Sequence, residues 1–323
     1  MKSSFLPVGM VILCVLSGQG LAMRSEPLIV DHACTDITRI PMEAILQAKA
    51  VLHIAYGHTS HGSQITFGMS GLVAFANGGG RGLALPKDTF AWNDGGVGGG
   101  LDLHDEAMGG DVGYYPDWVN NTRAYLDNPQ NADVNVIMWS WCGQVSGKYA
   151  YDTLLTEYLN PMSQLERDYP HVTFVYMTGH LDHWDDANNK AGNQVIRSYC
   201  RANNKVLYDF SDIESHDPNG VYYPFPSDSC EYYAGRTGAL LGNWAKEWQD
   251  SHKLDVDWYY CVAAHSEPLN ANQKAYAAWW LFARLGGWPG PACKSGVVGD
   301  LDRDGEVNLA DLAILSQHWL EGG

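Results

Sequence analysis

The stretch VNVIMWSW at residues 134–141 is a short apolar run, rich in valine, isoleucine and tryptophan, and Cys142, Gly143 and Gln144 follow it directly. Runs of this length and composition are typical of strands that are buried on both faces of a sheet. Similar runs occur three more times, as AVLHIAY at 50–56, VTFVYMT at 172–178 and KVLYDF at 205–210. The sequence therefore predicts four such strands.

Two stretches between these runs, 153–169 and 188–203, carry apolar residues at spacings of three and four. This spacing is typical of amphipathic helices. A strand, helix, strand order makes successive strands parallel and puts helices on both sides of the sheet. We therefore expect an α/β fold, in which a parallel sheet is flanked by helices in three layers.

The ends of three predicted strands concentrate glycine and reactive side chains. In a sheet of this kind, the ligand site lies beyond the carboxyl ends of the strands. The segments at these ends are GHTSHGS at 57–63, WCGQ at 141–144 and GHLDH at 179–183. We expect the functional site to be built from them.

Ser60 and His265 are the candidate catalytic pair. Ser60 follows the first run on a glycine-flanked loop, where a serine is exposed and close to backbone N–H groups. His265 precedes an amphipathic helix that begins near Pro268, and from there its imidazole can take the serine proton. Ser63 is the competing nucleophile, since it lies on the same loop.

This order and placement resemble the SGNH (GDSL-like) hydrolase superfamily over roughly residues 50–288. In that family a serine attacks an ester, a glycine and an asparagine help to form the oxyanion hole, and a DxxH stretch supplies acid and base. The resemblance implies that Ser60 is the nucleophile and His265 the base. It also implies that Gly143 and Gln144 lie near the oxyanion.

The chain lacks the catalytic aspartate of the family's DxxH stretch. Val262 occupies the position three residues before His265, where the family has an aspartate. The site is then either a serine–histidine dyad or recruits a carboxylate from elsewhere in the chain. Asp209 is the first candidate for this acid, with Asp212 and Glu267 as alternatives.

Two HxxH pairs offer a rival interpretation. The four histidines, with Asp182 or Asp186, could hold a divalent metal that activates water for hydrolysis. If the protein is a serine esterase, the same histidines would bind substrate together with Trp141 and Trp184. In a third interpretation, the protein is a non-catalytic glycan-binding or cell-surface module, and these histidines and tryptophans line its binding groove. The four histidines are His58, His61, His180 and His183.

The carboxyl-terminal sequence DLDRDGEVNLAD at 300–311 has the spacing of a calcium loop, with Gly305 at the sharp turn. The predicted calcium ligands are Asp300, Asp302, Asp304, Glu306, Asn308 and Asp311. An apolar helical pattern follows, and the segment resembles one half of a type I dockerin. The resemblance implies a cohesin-like or cell-surface partner.

The chain has 323 residues, and we expect a secretory signal at 1–22, an α/β hydrolase-like domain at 23–290 and the dockerin-like segment at 291–323. Secretion implies an extracellular or periplasmic protein, and six cysteines remain after the signal, so we expect disulfides whose pairing is open. The net charge of −17 disfavours nucleic acid as a partner. No stretch is apolar enough to predict a membrane span.

Together these features predict a secreted esterase that removes acyl groups from a polysaccharide, with calcium in the terminal loop and no organic cofactor. Twelve tryptophans and eighteen tyrosines suit a glycan substrate, because aromatic faces stack on sugar rings. The metal-dependent hydrolase and the binding module remain the alternatives.

Overall fold

The computed structural model describes residues 24–291, together with Leu309 and Leu312, which are helical. The predicted signal peptide at 1–22 and the predicted calcium ligands between Asp300 and Asp311 lie outside the described residues.

A sheet of seven parallel strands forms the centre of the molecule, which confirms the predicted fold class. The strand order is β1-β7-β6-β5-β2-β4-β3, and every neighbouring pair is parallel. The strands are β1 (Leu28–Val30), β2 (His53–Gly57), β3 (Trp92–Asn93), β4 (Leu101–His104), β5 (Val136–Trp139), β6 (Thr173–Met177) and β7 (Val206–Tyr208). The four predicted runs are β2, β5, β6 and β7, and the other three strands were not predicted.

Helices cover the sheet in two groups. One group packs around α9, which contacts α1, α2, α7 and α8, and the other pairs α3 with α5 and α4 with α6. The helices are α1 (Met42–Val51), α2 (Ser63–Asn77), α3 (Asp117–Leu126), α4 (Val145–Ala150), α5 (Asn160–Asp168), α6 (Asp186–Ala202), α7 (Phe210–Glu214), α8 (Trp244–Ser251) and α9 (Pro268–Leu285). A π-helical turn at Leu155–Leu159 leads into α5, and a small antiparallel pair, β8 (Glu231–Tyr233) and β9 (Leu240–Asn243), precedes α8.

The strand order decides where a ligand can bind. From β2 the chain crosses to β4 on one side and then returns to β5 on the other side of β2. The loops after β2 and β5 therefore diverge and leave a crevice at this switch point, where open α/β sheets bind their ligands. These loops carry Ser60 and Gly143, so the topology puts two predicted site residues at the crevice.

A fully buried ion pair connects the elements behind this crevice. Lys274 of α9 and Glu214 at the end of α7 are both shielded from solvent, with 2.7 Å between Nζ and Oε1. Lys274 also donates to Gln64 of α2, and Glu214 accepts the N–H of Leu181 after β6 at 2.7 Å. Burial lowers the pKa of Lys274, and the Glu214 carboxylate opposes this shift.

The expected disulfides are not found in the described part of the chain. All five cysteines between residues 24 and 291 are free thiols, and four of them are buried. Cys293 lies outside the described residues.

None of the described helices has both the length and the apolar composition needed to cross a bilayer.

We predict that Lys274→Met destabilises the fold by about 3–5 kcal/mol, because it leaves the Glu214 carboxylate buried without a cation. Chemical denaturation of the full chain measures this loss. Lys246→Met is the matched control, since Lys246 makes an exposed pair with Glu267 and such pairs contribute less than about 1 kcal/mol. Equal losses in the two variants would contradict the importance of the buried pair.

Candidate active site

The loop after β2 places Ser60 at the crevice. Gly57 ends the strand against the Trp139 ring, where an added Cβ would come within 2.4 Å of a ring carbon. Thr59 is extended, and a 3-10 turn at Ser60–Gly62 then runs directly into α2. The strand thus changes to helix within three residues of Gly57, and Ser60 stands at this change of direction.

The structure brings His265 to Ser60. Their side chains are 3.1 Å apart, from Oγ to Nε2, although 205 positions separate them in the sequence. His265 lies in a turn before α9 with a left-handed φ of 61°, a conformation that is uncommon for residues other than glycine. The side-chain amide of Gln64 donates to the carbonyl of Ala264 at 2.5 Å and so fixes the backbone immediately before this turn.

Ser63 has a different environment from Ser60. Its side chain is buried, and its hydroxyl donates to the carbonyl oxygen of Ser60 at 2.6 Å. No imidazole is among its hydrogen-bond partners in the described chain. The geometry therefore favours Ser60 over Ser63 as the nucleophile.

The loops after β2 and β5 each contain a backbone N–H group without a hydrogen-bond partner in the described chain. Neither the N–H of Ser60 nor that of Gly143 donates to another group within the described residues. Gly143 has a φ of 76°, a left-handed value that favours glycine. Gln144 supports the backbone of the same loop. Its Oε1 accepts the N–H of Cys142 at 2.9 Å, and its side chain packs on Gly113.

None of the three acids expected from the sequence contacts His265. Asp209 is buried and forms a bidentate pair with Arg197, at 2.5 and 2.8 Å. Asp212 binds His32 at 2.5 Å. Glu267 faces Lys246 at 3.1 Å. Asp209 therefore has a structural ion pair in place of the predicted catalytic contact.

Three imidazoles stack beside Ser60. His61 lies between His180 and His265, with ring centroids 3.6 Å and 4.5 Å away and interplanar angles of 10° and 20°. The carboxylate of Asp228 meets His61 Nε2 at 3.0 Å. Sequence reasoning missed Asp228, because it lies in the irregular segment between α7 and β8 and no motif marks it.

The Asp228 carboxylate controls the charge in this stack. Burial lowers the pKa of His61, but the hydrogen bonds to Asp228 and Cys142 outweigh it and raise the pKa to about 9. Burial, together with the positive charge of His61, lowers the pKa of His180. Near neutral pH the stack therefore contains a charged His61 next to a neutral His180.

Cys142 completes the cluster; it lies in the segment WCGQ, which was expected to contribute to the site, but no role was predicted for its thiol. Its Sγ lies 3.6 Å from Ser60 Oγ and 3.9 Å from His61 Nδ1. The contact with His61 lowers the pKa of the Cys142 thiol to about 7, although burial opposes the shift.

The other residues that were predicted to bind metal or substrate do not lie together. His58 binds Asp105 at 2.8 Å, and His183 stacks on Tyr233, so the four HxxH histidines do not form one cluster. Trp141 is a core residue, since it is buried and donates to the carbonyl of Met177. Trp184, in contrast, is 89% exposed.

The acids suggested for the metal site also have other contacts. Asp182 accepts the backbone N–H groups of Trp184 and Asp185, and Asp186 pairs with Lys190.

His61, His180 and Asp228 offer three possible metal ligands within 4.8 Å of one another. The parallel stacking does not suit a shared ion, because the lone pair of an imidazole nitrogen lies in the plane of its ring. An ion between the two rings would lie roughly 1.8 Å out of each plane, whereas a whole zinc–nitrogen bond is only about 2.0–2.1 Å long. One ring would have to rotate before both could bind the same metal.

No family model matches this chain, and neither does any curated protein.

The function must therefore be inferred from the cluster itself. It combines a hydroxyl, a thiol and three imidazoles with one carboxylate and two available N–H donors. Groups of these types, at these distances, can carry out nucleophilic acyl transfer.

We predict that NMR titration of the histidines finds His61 charged up to a pH of about 9. The folded-state pKa of His61 exceeds its ordinary value of 6.5. The pair of His61 and Asp228 therefore stabilises the fold fully below pH 6.5, and this stabilisation is lost as the pH rises through about 9. Asp228→Asn should lower the pKa of His61, whereas Asp105→Asn, at the neighbouring His58 pair, should leave it unchanged. An unshifted His61 in the Asp228 variant would contradict this assignment.

Proposed function

We propose that this chain is a secreted ester hydrolase in which Ser60 is the nucleophile and His265 the general base. The observation that carries the proposal is the 3.1 Å contact between Ser60 Oγ and His265 Nε2, formed at the switch point of the sheet. A serine becomes a useful nucleophile when a base within hydrogen-bond reach can remove its proton during attack.

The reaction would proceed in two stages. Ser60 Oγ attacks the ester carbonyl while His265 Nε2 takes its proton, and the N–H groups of Ser60 and Gly143 stabilise the oxyanion. The protonated His265 then donates to the departing alcohol, which leaves an acyl group on Ser60. A water molecule activated by His265 releases the acid and restores the serine.

We infer an acylated polysaccharide as the substrate from exposed aromatic side chains that follow β5 and β6 in the chain. A groove of about 500 Å³ opens beside Gln144 and is lined in part by Tyr151, which is 82% exposed. Trp184, in the loop after β6, presents a second exposed aromatic face. Two such faces suit sugar rings, which stack on aromatic side chains.

The terminal segment supports the same biological setting. Its calcium-loop pattern, with ligands from Asp300 to Asp311, resembles half of a dockerin and would attach the enzyme to a cohesin-like or cell-surface partner. The secretory signal at 1–22 would deliver it outside the cell or to the periplasm.

A metal-dependent hydrolase is the second candidate, and the proximity of His61, His180 and Asp228 favours it. It requires the stacked rings to separate, so we rank it below the serine route. The binding-module alternative would use Trp184 and Tyr151 without any chemistry at Ser60.

We predict that Ser60→Ala lowers kcat for p-nitrophenyl acetate by about 10³-fold or more, as expected when a nucleophile is removed. His265→Gln should cause a loss of similar order. Ser63→Ala is the matched control and should stay within about tenfold of the native rate, because Ser63 Oγ contacts only the backbone of Ser60.

The same assay separates the alternatives. Unchanged turnover in Ser60→Ala, combined with loss on chelation and recovery with zinc but not with calcium, would establish the metal route instead. No turnover of any acyl ester by the native chain, with retained glycan binding, would establish the binding module.

A further inference from the structure

We propose that Cys142, His61 and Asp228 form a second nucleophilic centre, whose thiolate accepts acyl groups from activated donors such as aryl esters and thioesters. This centre lies in the same crevice as Ser60 but does not depend on Ser60 being a nucleophile.

The geometry is that of a nucleophile, a proton carrier and an orienting carboxylate. His61 uses both ring nitrogens, with Nδ1 3.9 Å from Cys142 Sγ and Nε2 3.0 Å from Asp228 Oδ2. The side chain of His61 is nearly buried, and the rings of His180 and His265 hold it on either side. Its orientation is therefore fixed, as this chemistry requires.

The electrostatics of the crevice favour a thiolate. The pKa of Cys142 is about 7 and that of His61 about 9, so a thiolate–imidazolium pair exists between these values. Asp228 and Glu214 are the carboxylates that favour the charge on His61, and the hydroxyl groups of Ser60 and Thr59 also lower the pKa of the Cys142 thiol. His180 faces the pair as a neutral ring, because its pKa is lowered.

Cys142 differs in this respect from every other cysteine between residues 24 and 291. The other four are buried, and burial raises the pKa of each thiol, to about 12 in Cys230 and Cys261 and further in Cys34 and Cys200. Cys142 alone in this part of the chain combines partial exposure with a lowered pKa, and thiolates are the reactive form of cysteine.

The acyl step balances without any further reactant. The sulfur of Cys142 attacks the carbonyl carbon, a carbon–sulfur bond forms, and the bond breaks from the carbonyl carbon to the leaving atom, which is oxygen in an aryl ester and sulfur in a thioester. The leaving group takes the proton from His61 Nδ1. Neutral His61 then removes a proton from water, which attacks the thioester, so that the carboxylic acid leaves and the thiolate–imidazolium pair is restored.

Carboxamidomethylation by iodoacetamide, followed for each cysteine by mass spectrometry, tests the thiolate. We expect Cys142 of the full chain to react first, with a pH midpoint at about 7. Asp228→Asn weakens the charge on His61 and should raise this midpoint by about one pH unit, which slows labelling below the midpoint roughly tenfold. Asp105→Asn, which removes the carboxylate beside His58, is the matched control and should leave the midpoint unchanged.

Acyl transfer is tested in Ser60→Ala with p-nitrophenyl acetate and acid quenching. We expect one acetyl group on Cys142, which hydroxylamine removes and which is absent from the Ser60→Ala/Cys142→Ala double variant. The proposal is overturned if Cys142 reacts no faster than the buried cysteines, if Asp228→Asn leaves the midpoint in place, or if no acetyl group reaches Cys142.

The two proposals fail separately. Turnover that disappears in Ser60→Ala, with an unreactive Cys142, supports the serine route and overturns the thiol centre. Turnover that survives in Ser60→Ala and disappears in Cys142→Ala supports the thiol centre and overturns the serine route.

Discussion

The buried pair of Lys274 and Glu214 is the interaction on which the site depends. A charge without solvent is costly unless it is paired and its remaining hydrogen-bonding groups are satisfied, and both conditions are met here. Lys274 donates a hydrogen bond to the side-chain oxygen of Gln64, and the Gln64 amide donates to the carbonyl of Ala264, the residue before His265. Glu214 holds Leu181, the residue that follows His180. One ion pair in the interior therefore fixes the two loops that bring imidazoles to Ser60.

The central strands and the contact between Ser60 and His265 could be predicted from the sequence. The runs that became β2, β5, β6 and β7 are buried on both faces, so they are continuously apolar and easy to find. Strands β3 and β4 lie in a glycine-rich stretch where two to four residues make each strand, too few to show a pattern. The contact of Ser60 with His265 was expected because Ser60 follows a strand at the carboxyl edge of the sheet, and His265 precedes a helix from which its imidazole can reach that edge.

The other contacts of the site residues could not be predicted, because they depend on which distant parts of the chain the fold brings together. Asp228 reaches His61 over 167 residues from an irregular segment, where a carboxylate has no distinguishing neighbours in the sequence. Asp209 was the first candidate for an acid next to His265, yet it pairs with Arg197, twelve residues earlier on α6. Trp141 ends an apolar run, and the sequence does not show whether it faces the crevice or the core. In the structure its indole N–H donates to the carbonyl of Met177 in the core.

The two proposals place nucleophiles of different character beside one stack of imidazoles. His265 contacts Ser60 at one side of the stack, and His61, which pairs with Asp228, contacts Cys142 from its centre. A hydroxyl requires a neutral base, whereas a thiolate is stabilised by a charged neighbour. The single carboxylate of the cluster contacts His61, so the positive charge that it stabilises lies on the imidazole next to Cys142.

The most direct test of the central claim is labelling of the full chain with a fluorophosphonate, which phosphonylates a serine only where a base activates it. Mapping the adduct by mass spectrometry should find it on Ser60, and it should disappear in His265→Gln while the chain remains folded. Labelling of Ser63, no labelling at all, or equal labelling of Ser60 without His265 would contradict the account.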